Sequence, residues 1–245
     1  MCVVLLCQCS ASVEGVHHDV ISHGQFSHLR IYRPPAPARQ LALLLSGDGG
    51  WGADLDSIAQ RLALRGSFVA GIDTREWLAV LANSPSSCIA PGAYLAGLGR
   101  ELQQQYHLPA GAPILIGHSA GATLAYVALA QARPQEFAGA LTLSFCADLD
   151  LGRPLCPAMP LRATPIASGA RLQPGGALSA RWIALHGIED RVCPVAQARA
   201  FAQAVPGARF LPLPGVGHSY EDMPRWWGAF LGSYEELAAT PGTPP

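Results

Sequence analysis

The segment Gly117-His118-Ser119-Ala120-Gly121 constrains this chain more than any other, because it follows an apolar run and precedes an Ala/Leu-rich stretch. It fits the G-x-S-x-G pattern, in which a serine occupies a sharp turn between a buried strand and a helix. The glycines on either side let the helix pass close to the strand. The helix N-terminus then presents free backbone N–H groups beside the serine, where an oxyanion could bind. The segment therefore predicts an α/β fold with Ser119 as a nucleophile.

The composition is typical of one large globular domain. The chain has 245 residues, of which 50% are hydrophobic, with a formal net charge of −1 and no lysine. Such a chain can bury a single large core, and its low charge predicts no nucleic-acid partner. We expect one α/β domain over residues 17–240, in which residues 146–180 form a Pro/Gly-rich insertion.

The first 16 residues resemble the end of a secretion signal, because a short apolar run is followed by small residues. No basic segment precedes that run, so a disordered N-terminus or a wrongly placed start codon is the alternative. A lipid-anchored cysteine is a poorer match, because Leu6 or Gln8 precedes the candidates.

Four cysteines remain beyond that segment, namely Cys88, Cys146, Cys156 and Cys193. In an exported protein they would form two disulfides, and three pairings are open. Cys146 and Cys156 bracket one loop and could pair with each other. No clustered ligand pattern accompanies them, so we predict no metal site.

Strand and helix patterns alternate along the rest of the chain, which predicts a mostly parallel sheet with right-handed crossovers. The histidines of an N-terminal hairpin over residues 17–33 are interpreted as surface residues. Asp54 is a candidate helix cap, and residues 74–91 are expected to be a long irregular stretch. The predicted strands cover 41–45, 68–73, 113–117, 139–145, 182–185 and 208–213, and the predicted helices 54–65, 93–106, 123–132, 195–205 and 223–237.

The remaining partners of a serine nucleophile should follow it in the order acid, then histidine. Asp190 comes just after a predicted strand, and His218 lies in the loop after the last one. Asp190 would hold the imidazole tautomer, and His218 would accept the Ser119 proton. Glu189 and Asp222 are the alternative acids. His118 and His186 are interpreted as packing residues, because each lies on the wrong segment.

The oxyanion hole is expected to use the backbone N–H of Ala120 and one from the Ser46-Gly47-Asp48 loop, at Asp48. A carboxylate beside a developing oxyanion opposes catalysis unless it meets a cation. We hypothesise that Asp48 binds the ammonium of an aminoacyl group, while Trp51 offers a cation–π face. The alternative is that Asp48 caps a helix or fixes the glycine loop.

Three segments together resemble the VirJ/AcvB family of bacterial virulence proteins: Leu45-Ser46-Gly47-Asp48-Gly49-Gly50-Trp51, Gly117 to Leu124, and Ser144 to Leu149 with Pro154-Leu155-Cys156. The resemblance covers about residues 20–235. It implies an α/β-hydrolase fold and location in the periplasm. It also implies hydrolysis of aminoacyl-phosphatidylglycerol, although other members are linked to secretion machinery. His118 departs from the family, where tyrosine is frequent.

The sequence and the resemblance together predict a cofactor-independent periplasmic serine hydrolase of alanyl- or lysyl-phosphatidylglycerol. It could contact the membrane surface through the Trp77 region and the insertion. Two other functions remain open: a generic carboxylesterase or thioesterase, and a non-catalytic accessory of a secretion system.

Overall fold

A mixed eight-stranded sheet with helices on both faces forms the centre of the protein, in a computed structural model that describes residues 15–239. The predicted signal remnant lies outside the described residues, except for residues 15 and 16. The sheet contains β1 (His17–His23), β2 (Phe26–Arg33), β3 (Gln40–Leu45), β4 (Ser67–Ile72), β5 (Ile114–His118), β6 (Gly139–Leu143), β10 (Arg181–Gly187) and β11 (Arg209–Leu213). The helices are α1 (Ala53–Leu64), α2 (Thr74–Ala82), α3 (Pro91–Gln105), α4 (Ala120–Gln131), α5 (Val195–Gln203) and α6 (Met223–Ala239). Residues between β6 and β10 form a second, small sheet from β7 (Asp148–Asp150), β8 (Arg162–Ile166) and β9 (Gly169–Gln173).

The large sheet has the strand order β1-β2-β4-β3-β5-β6-β10-β11. In this sheet only the pairings of β2 with β1 and with β4 are antiparallel. The other six strands, β4, β3, β5, β6, β10 and β11, run parallel to one another. The carboxyl ends of β3, β5, β6, β10 and β11 therefore meet at one edge, where open α/β sheets bind their ligands.

The core has two layers because side chains alternate along each strand. Leu41, Leu43 and Leu45 of β3 pack with α2 to α5, whereas Ala42 and Leu44 pack with α1 and α6. α4 is buried along nearly its whole length, as its uniformly apolar sequence requires. This core gives the carboxyl edge of the sheet a rigid support.

The stretch over residues 74–91 is not irregular throughout, so this prediction was wrong for α2. The Asp73 side chain accepts from the Glu76 N–H and caps the helix, and Trp77 and Leu81 bury its inner face. Apolar residues four positions apart, such as Trp77 and Leu81, indicate a helix. The sequence prediction missed this spacing because polar residues lie close to it. Trp77 itself is only 2% exposed, so its side chain cannot contribute to a lipid-facing surface.

The proposed Asp54 cap is wrong as well. Gly52 is the N-cap of α1 and makes no side-chain capping bond, and Asp54 lies within the first turn. There its charge favours the helix dipole instead.

Two disulfides connect the small sheet and its flanking loops to the rest of the fold: Cys88–Cys156 and Cys146–Cys193, with Cα–Cα distances of 4.8 and 5.2 Å. Of the three pairings that the sequence left open, the structure therefore has this one, and Cys146 does not pair with Cys156. β7 carries the chain away from Cys146, and the Cys156 N–H donates to the Ile89 carbonyl at 2.8 Å, which places it beside Cys88. Disulfides are typical of oxidising compartments. Within residues 15–239, no helix has the length and apolarity needed to span a membrane.

Candidate active site

Ser119 occupies the turn between β5 and α4 in a backbone conformation that L-residues rarely adopt, with φ 53° and ψ −120°. The two flanking glycines are required by close packing. A Cβ on Gly117 would lie 2.2 Å from the Gly121 carbonyl oxygen, and a Cβ on Gly121 would lie 2.2 Å from the Ser46 carbonyl oxygen. Strained backbone of this kind persists only where surrounding packing enforces it. The local sequence therefore forces the Ser119 side chain out over the sheet edge.

Ser119, His218 and Asp190 converge at that edge although they lie far apart in the sequence. The Ser119 Oγ is 3.0 Å from His218 Nε2, and His218 Nδ1 is 2.9 and 3.1 Å from the two Asp190 oxygens. A proton on Nδ1 that is donated to the carboxylate leaves Nε2 free to accept from the Ser119 hydroxyl. This geometry can make the hydroxyl nucleophilic.

Asp190 is buried and receives hydrogen bonds on both carboxylate oxygens. The Val192 and Cys193 N–H groups donate to Oδ1 at 2.9 and 2.8 Å, and the Ser144 hydroxyl donates to Oδ2 at 2.6 Å. Burial alone would raise the pKa of Asp190, but these donors and His218 outweigh it and hold the pKa below its ordinary value. The group therefore stays ionised, as an imidazole-orienting carboxylate must.

Ser144 was missed by sequence reasoning. It follows β6 directly, at the same edge as Ser119, which is a positional signal that could have found it. A serine at a strand end has many other uses, so the sequence alone did not single it out.

The two residues that were expected to form an oxyanion hole, Ala120 and Asp48, belong to segments that adjoin Ser119. Ala120 is the first residue of α4, so its N–H has no partner within the helix. Gly47 passes directly beside Ser119, since a Cβ on Gly47 would lie 3.4 Å from the Ser119 Cβ. The Gly50 N–H donates to the Gly47 carbonyl at 3.1 Å, which closes a turn with Asp48 at its first central position.

The Asp48 side chain is exposed and near His118, whose pKa it tends to raise, although burial dominates and lowers that pKa. Among residues 15–239 its carboxylate has no hydrogen-bond or salt-bridge partner. The loop is instead held by Asp73, whose carboxylate accepts from the Trp51 N–H at 3.0 Å. Asp48 is thus neither the helix cap nor the loop support that were its alternative roles.

The structure does not bring Trp51 to Ser119. Its ring packs over Gly71 of β4, where a Cβ would lie 2.2 Å from the indole, and β4 is two strands from β5. The indole N–H donates to Asp56 at 2.7 Å, and the Arg30 guanidinium lies 5.3 Å from the ring centroid. The aromatic face that was expected to receive a substrate ammonium contacts this arginine.

The alternative acids do not reach His218: Glu189 is exposed, and Asp222 pairs with Arg225 at 2.5 Å. His118 Nε2 lies 2.8 Å from the His218 carbonyl, and His186 Nε2 lies 2.7 Å from the Cys193 carbonyl. Both histidines therefore hold backbone next to the site.

Among the described residues, the ligand atoms of Asp190, Cys193 and His218 lie within 4.8 Å of one another. The Cys193 sulfur is bonded to Cys146, and His218 Nδ1 faces Asp190. The disulfide and the His218–Asp190 hydrogen bonds already engage these ligand atoms, so the cluster does not fit a metal ion.

A cavity of about 500 Å³ opens beside His218. Its lining includes three carboxylates, Glu189, Glu221 and Asp222, and one cation, Arg191. Ser119 is not part of this lining, and Asp222 is paired with Arg225. Glu189 and Glu221 leave the cavity with a small excess of negative charge over Arg191, which favours cationic ligands.

The sequence matches no protein-family model and no curated protein. The structure is similar to the esterase Est1E from Butyrivibrio proteoclasticus, with 15% identity, a TM-score of 0.60 and coverage of 93% of this chain and 100% of the other. It is also similar to esterase 2 of Thermogutta terrifontis, with 16% identity, a TM-score of 0.60 and coverage of 91% of both chains. A putative dienelactone hydrolase from Klebsiella pneumoniae has 14% identity, a TM-score of 0.62 and coverage of 92% and 98%. The chain therefore has the α/β-hydrolase fold that was predicted from its sequence.

Proposed function

We propose that the protein is a serine hydrolase of carboxylic esters. The observation that carries the proposal is the continuous hydrogen-bonded chain from Ser119 through His218 to Asp190, at 3.0 and 2.9 Å. The backbone N–H groups of Ala120 and Asp48 would supply the second requirement of acyl transfer, which is stabilisation of an oxyanion. The esterase names of the structural neighbours agree with this chemistry.

In the proposed reaction, Ser119 Oγ attacks the ester carbonyl while its proton moves to His218 Nε2. The N–H groups of Ala120 and Asp48 stabilise the oxyanion, and Asp190 stabilises the imidazolium. Collapse of the tetrahedral intermediate breaks the ester bond, and His218 protonates the leaving alcohol. His218 then takes a proton from water, which attacks the acyl-enzyme, and the Ser119 hydroxyl is regenerated as the acid is released.

The substrate class that we propose is an aminoacyl ester. A lone carboxylate beside an oxyanion site raises the energy of the transition state, and a substrate α-ammonium would reverse the sign of that effect. The Asp48 carboxylate is exposed and lacks a partner among the described residues, so it is available for such a contact. Glu189 and Glu221 outnumber Arg191 in the cavity beside His218, which supports the same preference.

Within that class we propose aminoacyl-phosphatidylglycerol, with the amino acid and phosphatidylglycerol as products. This choice is supported by the resemblance of the Ser46–Trp51 loop and the elbow to VirJ/AcvB proteins. The two disulfides support an oxidising location, which we propose to be the periplasm. The lipid substrate also implies contact with a membrane surface.

The decisive experiment incubates the protein with mixed micelles that contain alanyl- or lysyl-phosphatidylglycerol and measures free amino acid. We expect release by the wild type and none by Ser119→Ala. A wild type that cleaves p-nitrophenyl acyl esters but neither lipid would be a generic carboxylesterase or thioesterase. A Ser119→Ala variant that complements a deletion strain would indicate the non-catalytic accessory role.

A chemical probe tests the nucleophile without any assumption about the substrate. One of the structural neighbours, esterase 2 of Thermogutta terrifontis, is described as phosphorylated by paraoxon. We expect paraoxon to label this protein at Ser119, as read by peptide mass spectrometry. Labelling at another serine, or equal labelling of Ser119→Ala, would refute the assignment.

Asp48→Asn tests the aminoacyl preference, because it keeps the backbone N–H and removes only the side-chain charge. Hydrogen bonds to charged groups contribute about 1.5–3 kcal/mol, so kcat/KM for an alanyl ester should fall about 10- to 100-fold. The matched neutral acyl ester should change less than about twofold, or become faster. Equal losses for both esters would show that Asp48 does not bind an ammonium.

A further inference from the structure

We propose that Ser144 is a positioning residue that fixes the orientation of the Asp190 carboxylate toward His218. This inference rests on the proposed function, since it assigns a role within the same site. Ser144 is fully buried, so it cannot contact substrate. Its hydroxyl donates to Asp190 Oδ2 at 2.6 Å, and the same oxygen lies 2.9 Å from His218 Nδ1.

The two oxygens of Asp190 are held by different parts of the chain. Oδ1 accepts from the Val192 and Cys193 N–H groups in its own loop. Oδ2 accepts from the hydroxyl of Ser144, which directly follows β6, the strand that pairs with β10. Apart from Ser144 and His218, Oδ2 has only a longer contact with His186 Nε2, at 3.5 Å, among the described residues. Without the Ser144 hydroxyl, Oδ2 would therefore lose its short hydrogen bond from outside the His218–Asp190 pair. The Ser144 bond therefore couples the acid to the sheet itself.

The backbone at Ser144 indicates that this bond is enforced. Its φ is 53°, in the left-handed region where glycine is the favoured residue. The Ser144 N–H donates to the Leu185 carbonyl at 3.2 Å, and the buried Tyr220 hydroxyl, which interacts with the Ser144 side chain, donates to the same carbonyl at 2.9 Å. A serine in a glycine conformation with a fixed hydroxyl fits a role that requires its side chain.

The test compares Ser144→Gly, Ser144→Ala and the control Ser67→Ala. Glycine removes the hydroxyl and also relieves the backbone strain, so it separates loss of function from loss of folding. Ser67 is a matched control, because it is a buried serine whose hydroxyl bonds another side chain, Tyr234, at 2.7 Å. Ser67 begins β4, at the opposite edge of the sheet from Ser119.

With an ester substrate, both Ser144 variants should lose about 10- to 100-fold in kcat at nearly constant KM, as expected for one charge-assisted hydrogen bond. The Ser67 control should keep its kcat, and Ser144→Gly should melt no lower than Ser144→Ala. Proton NMR supplies a readout that needs no substrate. The downfield resonance of the His218 Nδ1 proton should change position in both Ser144 variants and stay unchanged in the control.

A Ser144→Gly protein with wild-type kcat or an unchanged His218 resonance would overturn the inference. If the wild type hydrolyses no ester, the proposed function fails, while the NMR comparison still decides whether Ser144 orients Asp190. The two failures are therefore distinguishable.

Discussion

Two disulfides cross-link the part of the chain over residues 15–239, and of these only Cys146–Cys193 adjoins Asp190. The Cys193 N–H donates to Asp190 Oδ1 at 2.8 Å, and Cys146 lies two residues after Ser144, which donates to Oδ2. Cys88–Cys156 joins the loop after α2 to the segment before β8. Replacing each pair by alanine should therefore separate a loss of stability from a loss of catalysis.

The loss of stability should be nearly the same for the two pairs. With sequence separations of 47 and 68 residues, the chain-entropy relation gives about 4 kcal/mol for each disulfide, with a difference of about 0.3 kcal/mol. For a chain of this length such a loss lowers Tm by about 8–16 °C. A protein with ordinary stability of about 5–15 kcal/mol remains folded at 25 °C.

The loss of catalysis should differ between the pairs. Without Cys146–Cys193, the backbone donor to Oδ1 and the segment that carries Ser144 are both less constrained. Weakening one hydrogen bond to a charged group, at about 1.5 kcal/mol, lowers kcat roughly tenfold. C88A/C156A should keep kcat within about twofold.

The assay measures kcat with a p-nitrophenyl ester at 25 °C, well below both Tm values, and Tm by calorimetry. Equal kcat losses in C146A/C193A and C88A/C156A would show that the effect is general loosening of the fold. A normal kcat in C146A/C193A, at the expected lower Tm, would show that the disulfide does not support Asp190. Either result would refute the reasoning.

Three further predictions follow from the same geometry. His218→Ala should lower kcat by a factor on the order of 10⁴ or more, measured against Ser119→Ala, and the double variant should be no worse because the two residues act as a unit. Gly121→Ala should prevent soluble folding, since its Cβ would lie 2.2 Å from the Ser46 carbonyl oxygen. The control Gly97→Ala has open space around its Cβ and should fold normally. Circular dichroism distinguishes the two outcomes. Burial lowers the pKa of His118 and His186, so both favour the folded state in their neutral form. Their contribution to stability is complete above about pH 6.5 and is lost as the pH falls further. A free energy of unfolding in urea that does not decline between pH 7 and 5 would contradict this.

The sequence was sufficient to predict the fold class and the residues that converge at the sheet edge. The alternation of apolar strand runs with helical patterns predicts parallel strands, and the carboxyl ends of parallel strands meet at one edge of the sheet. The order of Ser119, Asp190 and His218 after successive strands could therefore be converted into proximity. Their catalytic role remains a prediction until activity is measured.

What the sequence could not supply depends on contacts between distant segments. The pairing of Cys88 with Cys156 depends on how the small sheet folds back onto the loop before α3. Trp51 follows a functional loop, but its ring fits over Gly71, a glycine about twenty positions later. Neither contact has a periodicity or spacing that a linear reading can detect.

The carboxyl edge of the sheet concentrates conformational strain as well as chemistry. Ser119, Ser144 and Tyr220 all have φ between 53° and 55°, and each such non-glycine residue costs about 1–2 kcal/mol. The sum is comparable with the net stability of an ordinary domain, so the buried helices on both faces and the Cys146–Cys193 disulfide must offset it. Glycine at 144 would relieve part of that cost, but it would also remove the hydrogen bond to the buried Asp190 carboxylate, about 1.5–3 kcal/mol. The two effects on stability are of similar size and opposite sign, whereas the effect on the orientation of His218 has one direction. Ser144→Gly is therefore expected to change the activity of the protein much more than its stability.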